Sequence, residues 1–155
     1  MLGPRRYRVR NLDQFHTYQL LSSSSRTPLI TLWTASWCPS CKHVAPLIQE
    51  LIESGVGEAE GGVGYCTVEY DSPDVMDAGL GLTYMINSVP TLLSFDAQEA
   101  QTQTKVTDGK LLANRKFLED WYVLLFVLAF LRRSGALFTK AVSLFLACLV
   151  LSCEI

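Results

Sequence analysis

Two cysteines, Cys38 and Cys41, are the residues of this chain best placed to do chemistry. They stand three positions apart, where an apolar run ends and a helical pattern begins. The first sulfur then lies beside the unpaired N–H groups of a helix start, where the helix dipole favours a thiolate. The spacing also allows a disulfide, so the pair can alternate between dithiol and disulfide. Exchange with a partner would begin with attack by Cys38 and end with release by Cys41.

The same Cys-x-x-Cys spacing occurs in zinc and iron-sulfur sites. A zinc site needs two further ligands at matched spacing, and the sequence has no second Cys-x-x-Cys or paired Cys and His. His16 does not supply one, and His43 is predicted to be a surface residue whose side chain points away from the first sulfur. We therefore expect a redox site with no metal and no cofactor. Metal or cluster binding across two chains is the less favoured alternative.

The elements around the cysteines are predicted from apolar periodicity. A compact apolar run before the pair is typical of a central buried strand, and apolar residues at helical spacing follow it. The predicted order is strand 7–9, a helix from Asn11 that ends at the serines 22–25, strand 28–34, a helix from Cys41, strand 63–70, a helix from Pro73 to about Gly79 or Gly81, strands 88–95 and 102–107 as an antiparallel pair, and a helix 110–121. This order predicts an α/β layer fold.

The segments TLWTASWCPSCKHVAP and SVPTLLSF resemble the thioredoxin family over about residues 5 to 121. The shared features are an apolar strand, W-C-x-x-C-K, a proline five residues after the second cysteine, and a later strand opened by Pro-Thr. The resemblance implies a thioredoxin fold, with a central mixed sheet flanked by helices. It also implies a thiol-disulfide oxidoreductase that acts on protein disulfides and receives electrons from a thiol reductase or a small thiol.

The resemblance also implies a role for each residue of the two motifs. Cys38 is the expected nucleophile and Cys41 the resolving thiol, while Pro46 is the expected kink of the active-site helix. The expected substrate-binding residues are Trp37, Pro39, Ser40, Val89 and Pro90. The last two form the cis-proline loop that faces the sulfurs, and the backbone before the proline pairs with an extended substrate segment.

Four positions depart from the family pattern. The buried aspartate six residues before the first cysteine is replaced by Leu32, and its lysine partner falls at Thr67 if Asp71 is the matching acid. Losing both charges together is coherent, because either one alone in the core would cost several kcal/mol. The central dipeptide is Pro39-Ser40 instead of Gly-Pro. These departures predict slower turnover than that of a general reductase.

Because Leu32 stands where the family pattern has an aspartate, a second function remains open. The chain would then be a non-catalytic module that binds a partner through the thioredoxin surface, with a vestigial cysteine pair.

The amino-acid composition limits the partners and the cellular compartment that can be expected. The chain carries 13 Lys and Arg against 15 Asp and Glu, which does not suit a nucleic-acid binder. Its five cysteines are an odd number and predict no disulfide framework, so a reducing compartment is expected, cytoplasmic or mitochondrial. Cys66, on a predicted strand, is expected to be a buried structural thiol.

The sequence divides into a thioredoxin-like domain at 5–121 and an apolar C-terminal tail at 122–155, predicted as a helical extension. Gly135 to Cys153 contains one charged residue, Lys140, and Arg132 and Arg133 precede it. Three interpretations remain: a membrane anchor, a translated non-coding tract, or a helix that docks on a partner. Against the anchor, the strictly apolar stretch 141–152 is shorter than the roughly 20 residues that a spanning helix needs.

Overall fold

The computed structural model describes residues 7–56 and 62–134, which form a five-stranded mixed sheet with helices on both faces. The elements are β1 (Tyr7–Val9), α1 (Leu12–Ser25), β2 (Leu29–Thr34), α2 (Pro39–Glu53), β3 (Gly64–Glu69), α3 (Pro73–Asp77), α4 (Leu80–Thr83), β4 (Thr91–Asp96), β5 (Glu99–Ala100), a 3-10 turn (Thr102–Thr104), α5 (Gly109–Leu112) and α6 (Arg115–Ser134). The predicted thioredoxin fold, with its mixed sheet, is confirmed.

Strand β2 occupies the centre of the sheet, whose order is β1-β3-β2-β4-β5. The pairs β1–β3 and β3–β2 are parallel, whereas β4 runs antiparallel to β2 and β5 antiparallel to β4. Side chains alternate between the two faces of a strand, and helices cover both faces here, so β2 is buried on both sides. The predicted central strand is therefore found in the centre.

The core has two layers, one on each face of the sheet. Ile30 and Leu32 of β2 pack in the layer that α2, α5 and α6 cover, while Leu29 and Trp33 pack in the opposite layer under α1. The second layer contains an aromatic cluster, in which the Phe15 ring lies 5.6 Å from the Phe95 ring. The alternation of side chains along a strand decides which residues of β2 enter each layer.

The hairpin at the end of the sheet differs from the prediction. The second strand is β5, and the predicted strand 102–107 is mostly a 3-10 turn with a single bridge from Val106 to Leu92. The Thr104 hydroxyl donates to the carbonyl of Gln101, and the Trp121 indole N–H donates to the carbonyl of Thr104 at 2.7 Å. These side-chain bonds hold the turn, so the backbone does not continue the ladder.

Three helices also differ from their predicted extents. The single helix predicted over 110–121 is divided into α5 and α6, with Ala113 and Asn114 between them. The serines 22–25 extend α1 instead of forming a loop, because the Ser25 hydroxyl bonds the carbonyl of Leu21 within the helix. The helix ends at Arg26, which is left-handed at φ 55°. The single helix expected after Pro73 is split into α3 and α4 at Gly79, where φ is 65°.

Helix α6 crosses the predicted domain boundary without a break. It begins after Asn114, whose side-chain oxygen accepts the N–H of Phe117, and it continues to Ser134. Tyr122 and Leu125, beyond the predicted end of the domain, are buried in the layer with α2. The division at residue 121 stays a prediction. The segment 135–153, for which a membrane anchor is one of three interpretations, lies outside the described residues. Within the described residues, no helix is long and apolar enough to cross a membrane.

The burial of Leu125 predicts that the core extends past residue 121. Leu125→Ala should lower the free energy of unfolding by about 2 to 5 kcal/mol, because it leaves a cavity between α6 and the sheet. Leu82→Ala, at an apolar residue that is 88% exposed, is the matched control and should change it by about 0.5 kcal/mol or less. Denaturant unfolding measures both, and equal effects would place Leu125 outside the core.

Candidate active site

The pairing of β2 with β4 brings the two predicted motifs to one edge of the sheet. Trp33 is paired with Thr91 in an antiparallel register, so the residues after β2 and those before β4 leave the sheet at the same end. Val89 packs against the small cluster of Ala35, Cys38 and Cys41. The Val89-Pro90 peptide bond is cis. The cysteine turn and the proline loop are therefore neighbours in space although they are far apart in sequence.

Cys38 is the N-cap residue of α2. It is bonded to Cys41 in a disulfide whose Cα atoms are 5.4 Å apart, and its sulfur accepts the Cys41 N–H at 3.2 Å. Pro39 occupies the first helical position, where no N–H is needed, so α2 begins two residues before the predicted start at Cys41. The Ser40 hydroxyl lies 3.4 Å from the Cys38 sulfur. The sulfur thus sits where the unpaired amides of a helix start favour negative charge.

The two cysteines are buried, whereas the residues beside them in the turn are exposed. Cys38 and Cys41 are only 2% and 4% exposed in the disulfide form. Trp37 is 68% exposed beside them, and Pro39 and Ser40 are also exposed. A partner would therefore meet the indole and the turn before it reaches the sulfur.

The proline loop offers main-chain groups next to the sulfurs. Val89 is half-buried and Pro90 is buried. The loop is fixed from below, because the Thr91 hydroxyl donates to the carbonyl of Ser88 at 2.7 Å. Within residues 7–56 and 62–134, the N–H and C=O of Val89 make no hydrogen bond. These two groups are free to pair with an extended segment of another chain.

Asp71 holds the cysteine turn from the other side. Thr34 and Glu69 are register partners in the parallel pair β2–β3, so Ser36 and Asp71 each lie two residues beyond that pair. The Asp71 carboxylate accepts hydrogen bonds from the Ser36 N–H at 2.9 Å and from the Ser36 hydroxyl. These two bonds lower the pKa of Asp71. Sequence reasoning missed Ser36, although the strand register is a signal that could have found it.

A charged cleft of about 700 Å³ opens beside Cys41. Its lining includes Arg8, Arg10, Glu69, Asp71, Lys42 and Thr67. The Glu69 carboxylate pairs with the Arg8 and Arg10 guanidinium groups at 3.2 and 2.9 Å. The charged groups near Cys41 therefore lie in an open cleft, whereas Leu32 is fully buried in the apolar layer under the sheet.

The remaining candidates lie away from the site. Cys66 is fully buried on β3, and burial raises its pKa to about 12. His16 and His43 are both exposed, which for His43 is the predicted position. Across the described ranges, no three His, Cys, Asp or Glu side chains are grouped as metal ligands would be.

The family model and the relatives that match this chain in sequence are all thioredoxins. A sequence-family model described as Thioredoxin matches residues 9–116. The thioredoxin of Buchnera aphidicola is 32% identical over 108 residues, which are 70% of this chain and 90% of that protein. The chloroplastic M-type thioredoxin of Zea mays is 35% identical over 80 residues, 51% of this chain and 42% of that protein. The chain thus spans about two fifths of the length of the plant relatives it matches.

Solved structures share the fold at lower identity. The crystal structure of a thioredoxin from Malassezia sympodialis superposes with a TM-score of 0.60 at 18% identity, covering 81% of this chain and 96% of that one. A thioredoxin h from poplar gives a TM-score of 0.61 at 16% identity, covering 77% and 95%. At these identities the likeness concerns the fold.

The burial of Cys66 predicts an inert thiol. Iodoacetamide should leave the Cys66 peptide unmodified in the reduced, folded protein at about pH 8, because the thiolate is the reacting form and is suppressed there. After unfolding in guanidinium chloride, the same peptide should be fully modified. Peptide mass spectrometry measures both states, and rapid modification in the folded protein would show that Cys66 is accessible.

The lowered pKa of Asp71 predicts a pH-dependent contribution to stability. Because folding lowers this pKa, the contribution is fully present above the ordinary aspartate pKa and is lost as the pH falls through the folded value. Asp71→Asn should therefore cost on the order of 1 kcal/mol at about pH 7, and the difference from wild type should shrink in acid.

Denaturant unfolding of both proteins at about pH 7 and about pH 3 measures this difference. Asp74→Asn, at an exposed carboxylate of α3, is the matched control. A cost for Asp71→Asn that stays constant with pH would show that the charge of Asp71 does not stabilise the turn.

Proposed function

Since this chain belongs to the thioredoxin family, we propose that it is a thiol-disulfide oxidoreductase that acts on protein disulfides through Cys38 and Cys41. One observation carries the proposal: the cysteine pair forms a disulfide at the N-terminus of α2, directly against Val89 of the cis-proline loop. This arrangement places a reactive sulfur beside main-chain groups that can hold a substrate.

In the reducing direction, the reaction begins with the dithiol form. The Cys38 thiolate attacks one sulfur of the substrate disulfide, a mixed disulfide forms, and the other substrate sulfur leaves as a thiolate. The Cys41 thiolate then attacks the Cys38 sulfur, which closes the 38–41 disulfide and releases the second substrate thiol. Two electrons have passed to the substrate. A thiol reductase or a small thiol returns the pair to the dithiol.

The residues around the sulfurs would bind the substrate. Val89 would pair through its N–H and C=O with an extended segment, while Pro90 fixes the loop. The exposed Trp37 would cover the apolar side of that segment, and Pro39 and Ser40 would contact it at the turn. The Ser40 hydroxyl, close to the Cys38 sulfur, is also placed to donate to its thiolate.

Among the residues that the structure describes, no buried carboxylate is available to receive the proton of the Cys41 thiol. Position 32, where the resemblance predicts an acid, carries the apolar side chain of Leu32. The charged groups near Cys41 border the open cleft. Water in the cleft would take the proton, so the second step would be slower than with an internal base. This supports the expectation of slow turnover.

Reduction of insulin disulfides by dithiothreitol tests the function. The wild type should accelerate the reaction, and Cys38→Ser should reduce the rate to that of dithiothreitol alone, because no mixed disulfide can form. Cys148→Ser, a change at a cysteine that belongs to neither of the two motifs, is the matched control and should keep the wild-type rate. Equal rates for wild type and Cys38→Ser would favour the non-catalytic binding module.

A further inference from the structure

The charged cleft of about 700 Å³ borders the cysteine pair on the side away from the proline loop. Its lining residues come from β1, from β2, from β3 and the turn after it, and from α2, whereas Val89 directly precedes the cis-proline that leads into β4. In the sheet, β3 and β4 flank β2 on opposite sides. Two separate surfaces of the molecule therefore border the same disulfide.

Among the described residues, Cys41 is the member of the pair that lines the cleft. The side chains near it in the lining are short. Ala35 packs against the pair, and Ala45 lies one turn further along α2 on the same face as Cys41. The cleft volume falls within the range of pockets that hold small molecules, about 300 to 1,000 Å³. The cleft thus gives a small ligand a path to the second sulfur.

Positive charge exceeds negative charge in the cleft. Arg8 and Arg10 share the single carboxylate of Glu69, and Asp71 is the other acid of the lining. Within residues 7–56 and 62–134, the exposed side chain of Lys42 makes no hydrogen bond or ion pair. Three cationic side chains therefore face two carboxylates, and a bound anion would balance the remaining positive charge.

We propose that this cleft binds an anionic thiol of low molecular weight, which reduces the disulfide by attacking the sulfur of Cys41. The inference rests on the proposed oxidoreductase function and names the class of its electron donor. Protein substrates would meet Cys38 beside Val89, and the donor would meet Cys41 in the cleft.

The reaction consumes two donor thiols. The first donor thiolate attacks the Cys41 sulfur, the bond between the two cysteines breaks, and Cys38 leaves as a thiolate. A second donor thiolate attacks the donor sulfur of the resulting mixed disulfide, and Cys41 leaves as a thiolate that takes a proton from water. The two donor thiols have been oxidised to one donor disulfide, and two electrons have passed to the cysteine pair.

The start of α2 favours attack at Cys41 over attack at Cys38. The Cys38 sulfur accepts the Cys41 N–H at 3.2 Å and lies 3.4 Å from the Ser40 hydroxyl. Both groups stabilise a thiolate at Cys38, and exchange is faster when the thiolate that leaves is the more stable one. Attack at Cys41 expels that stabilised sulfur.

Single-thiol variants measure which sulfur the cleft serves. Cys38→Ser leaves the thiol of Cys41, and Cys41→Ser leaves that of Cys38. Each reduced variant is mixed with oxidised glutathione, an anionic disulfide, or with cystamine, a cationic one. Peptide mass spectrometry follows the mixed disulfide on the remaining thiol. The ratio of the glutathione rate to the cystamine rate cancels the intrinsic reactivity of each thiol and reports the charge preference of its surroundings.

This ratio should be at least about fivefold higher at Cys41 than at Cys38, since one unit of charge at short range in water changes a rate by about this factor. The difference should shrink when salt is raised to about 0.5 M, because salt screens charges in an open cleft. Equal ratios at low salt, or a higher ratio at Cys38, would overturn the proposal.

Lys42→Gln assigns the preference to the cleft. Glutamine keeps the helix propensity and removes the charge, so this variant should fold and should lower the ratio at Cys41 by about two- to fivefold. Lys116→Gln, at an exposed lysine of α6 outside the cleft, is the matched control and should keep the ratio. An unchanged ratio in Lys42→Gln would show that the cleft does not bind the anion.

The same two lysine changes are made in the chain with both cysteines. Lys42→Gln should slow the opening of the disulfide by reduced glutathione and leave insulin reduction by dithiothreitol, a neutral thiol, unchanged. A wild type that reduces insulin while Cys41 shows no charge preference overturns this inference alone. A wild type that is inactive towards insulin overturns the proposed function on which the inference rests.

Discussion

The hydrogen-bond register of β2 with its two neighbours is the constraint from which the site follows. The antiparallel register with β4 delivers Val89 and Pro90 to the cysteine turn. The parallel register with β3 delivers Asp71 to the same turn from the other side. A shift of either register by one residue would exchange the two faces of a strand that is buried on both. The apolar core therefore enforces the register, and the register assembles the site.

Local signals were sufficient for the parts of the molecule that depend on nearby residues. The continuous apolar run of β2, the apolar spacing of α2 and the cysteine at the start of that helix are all set within a few positions. The contact between Ser36 and Asp71 was not predicted, since it joins residues 35 positions apart through a strand pairing. The turn at 102–104 was predicted as a strand because the bond from the Trp121 indole, which holds it, comes from a distant helix.

The apolar side chain at Leu32 decides where polar groups can lie near the cysteine pair. The leucine belongs to a continuous apolar layer with Ile48 and Leu92, in which an unpaired carboxylate would be strongly unfavourable. The charged groups near Cys41 lie in the cleft, where the Glu69 carboxylate pairs with the guanidinium groups of Arg8 and Arg10 in contact with solvent. The core around Leu32 is therefore uniformly apolar, and in the proposed reaction water would receive the proton of the Cys41 thiol.

The sulfur of Cys38 has a structural role besides its place in the disulfide. It caps α2 by accepting a hydrogen bond from the Cys41 N–H. When the disulfide is reduced, the acceptor at this helix end changes from a disulfide sulfur to the free sulfur of Cys38. The two forms of the sulfur stabilise the helix end to different extents. Redox state and folding are thus arms of one thermodynamic cycle. Any interaction that stabilises the first turn of α2 in one oxidation state must therefore shift the reduction potential of the cysteine pair by an equivalent free energy.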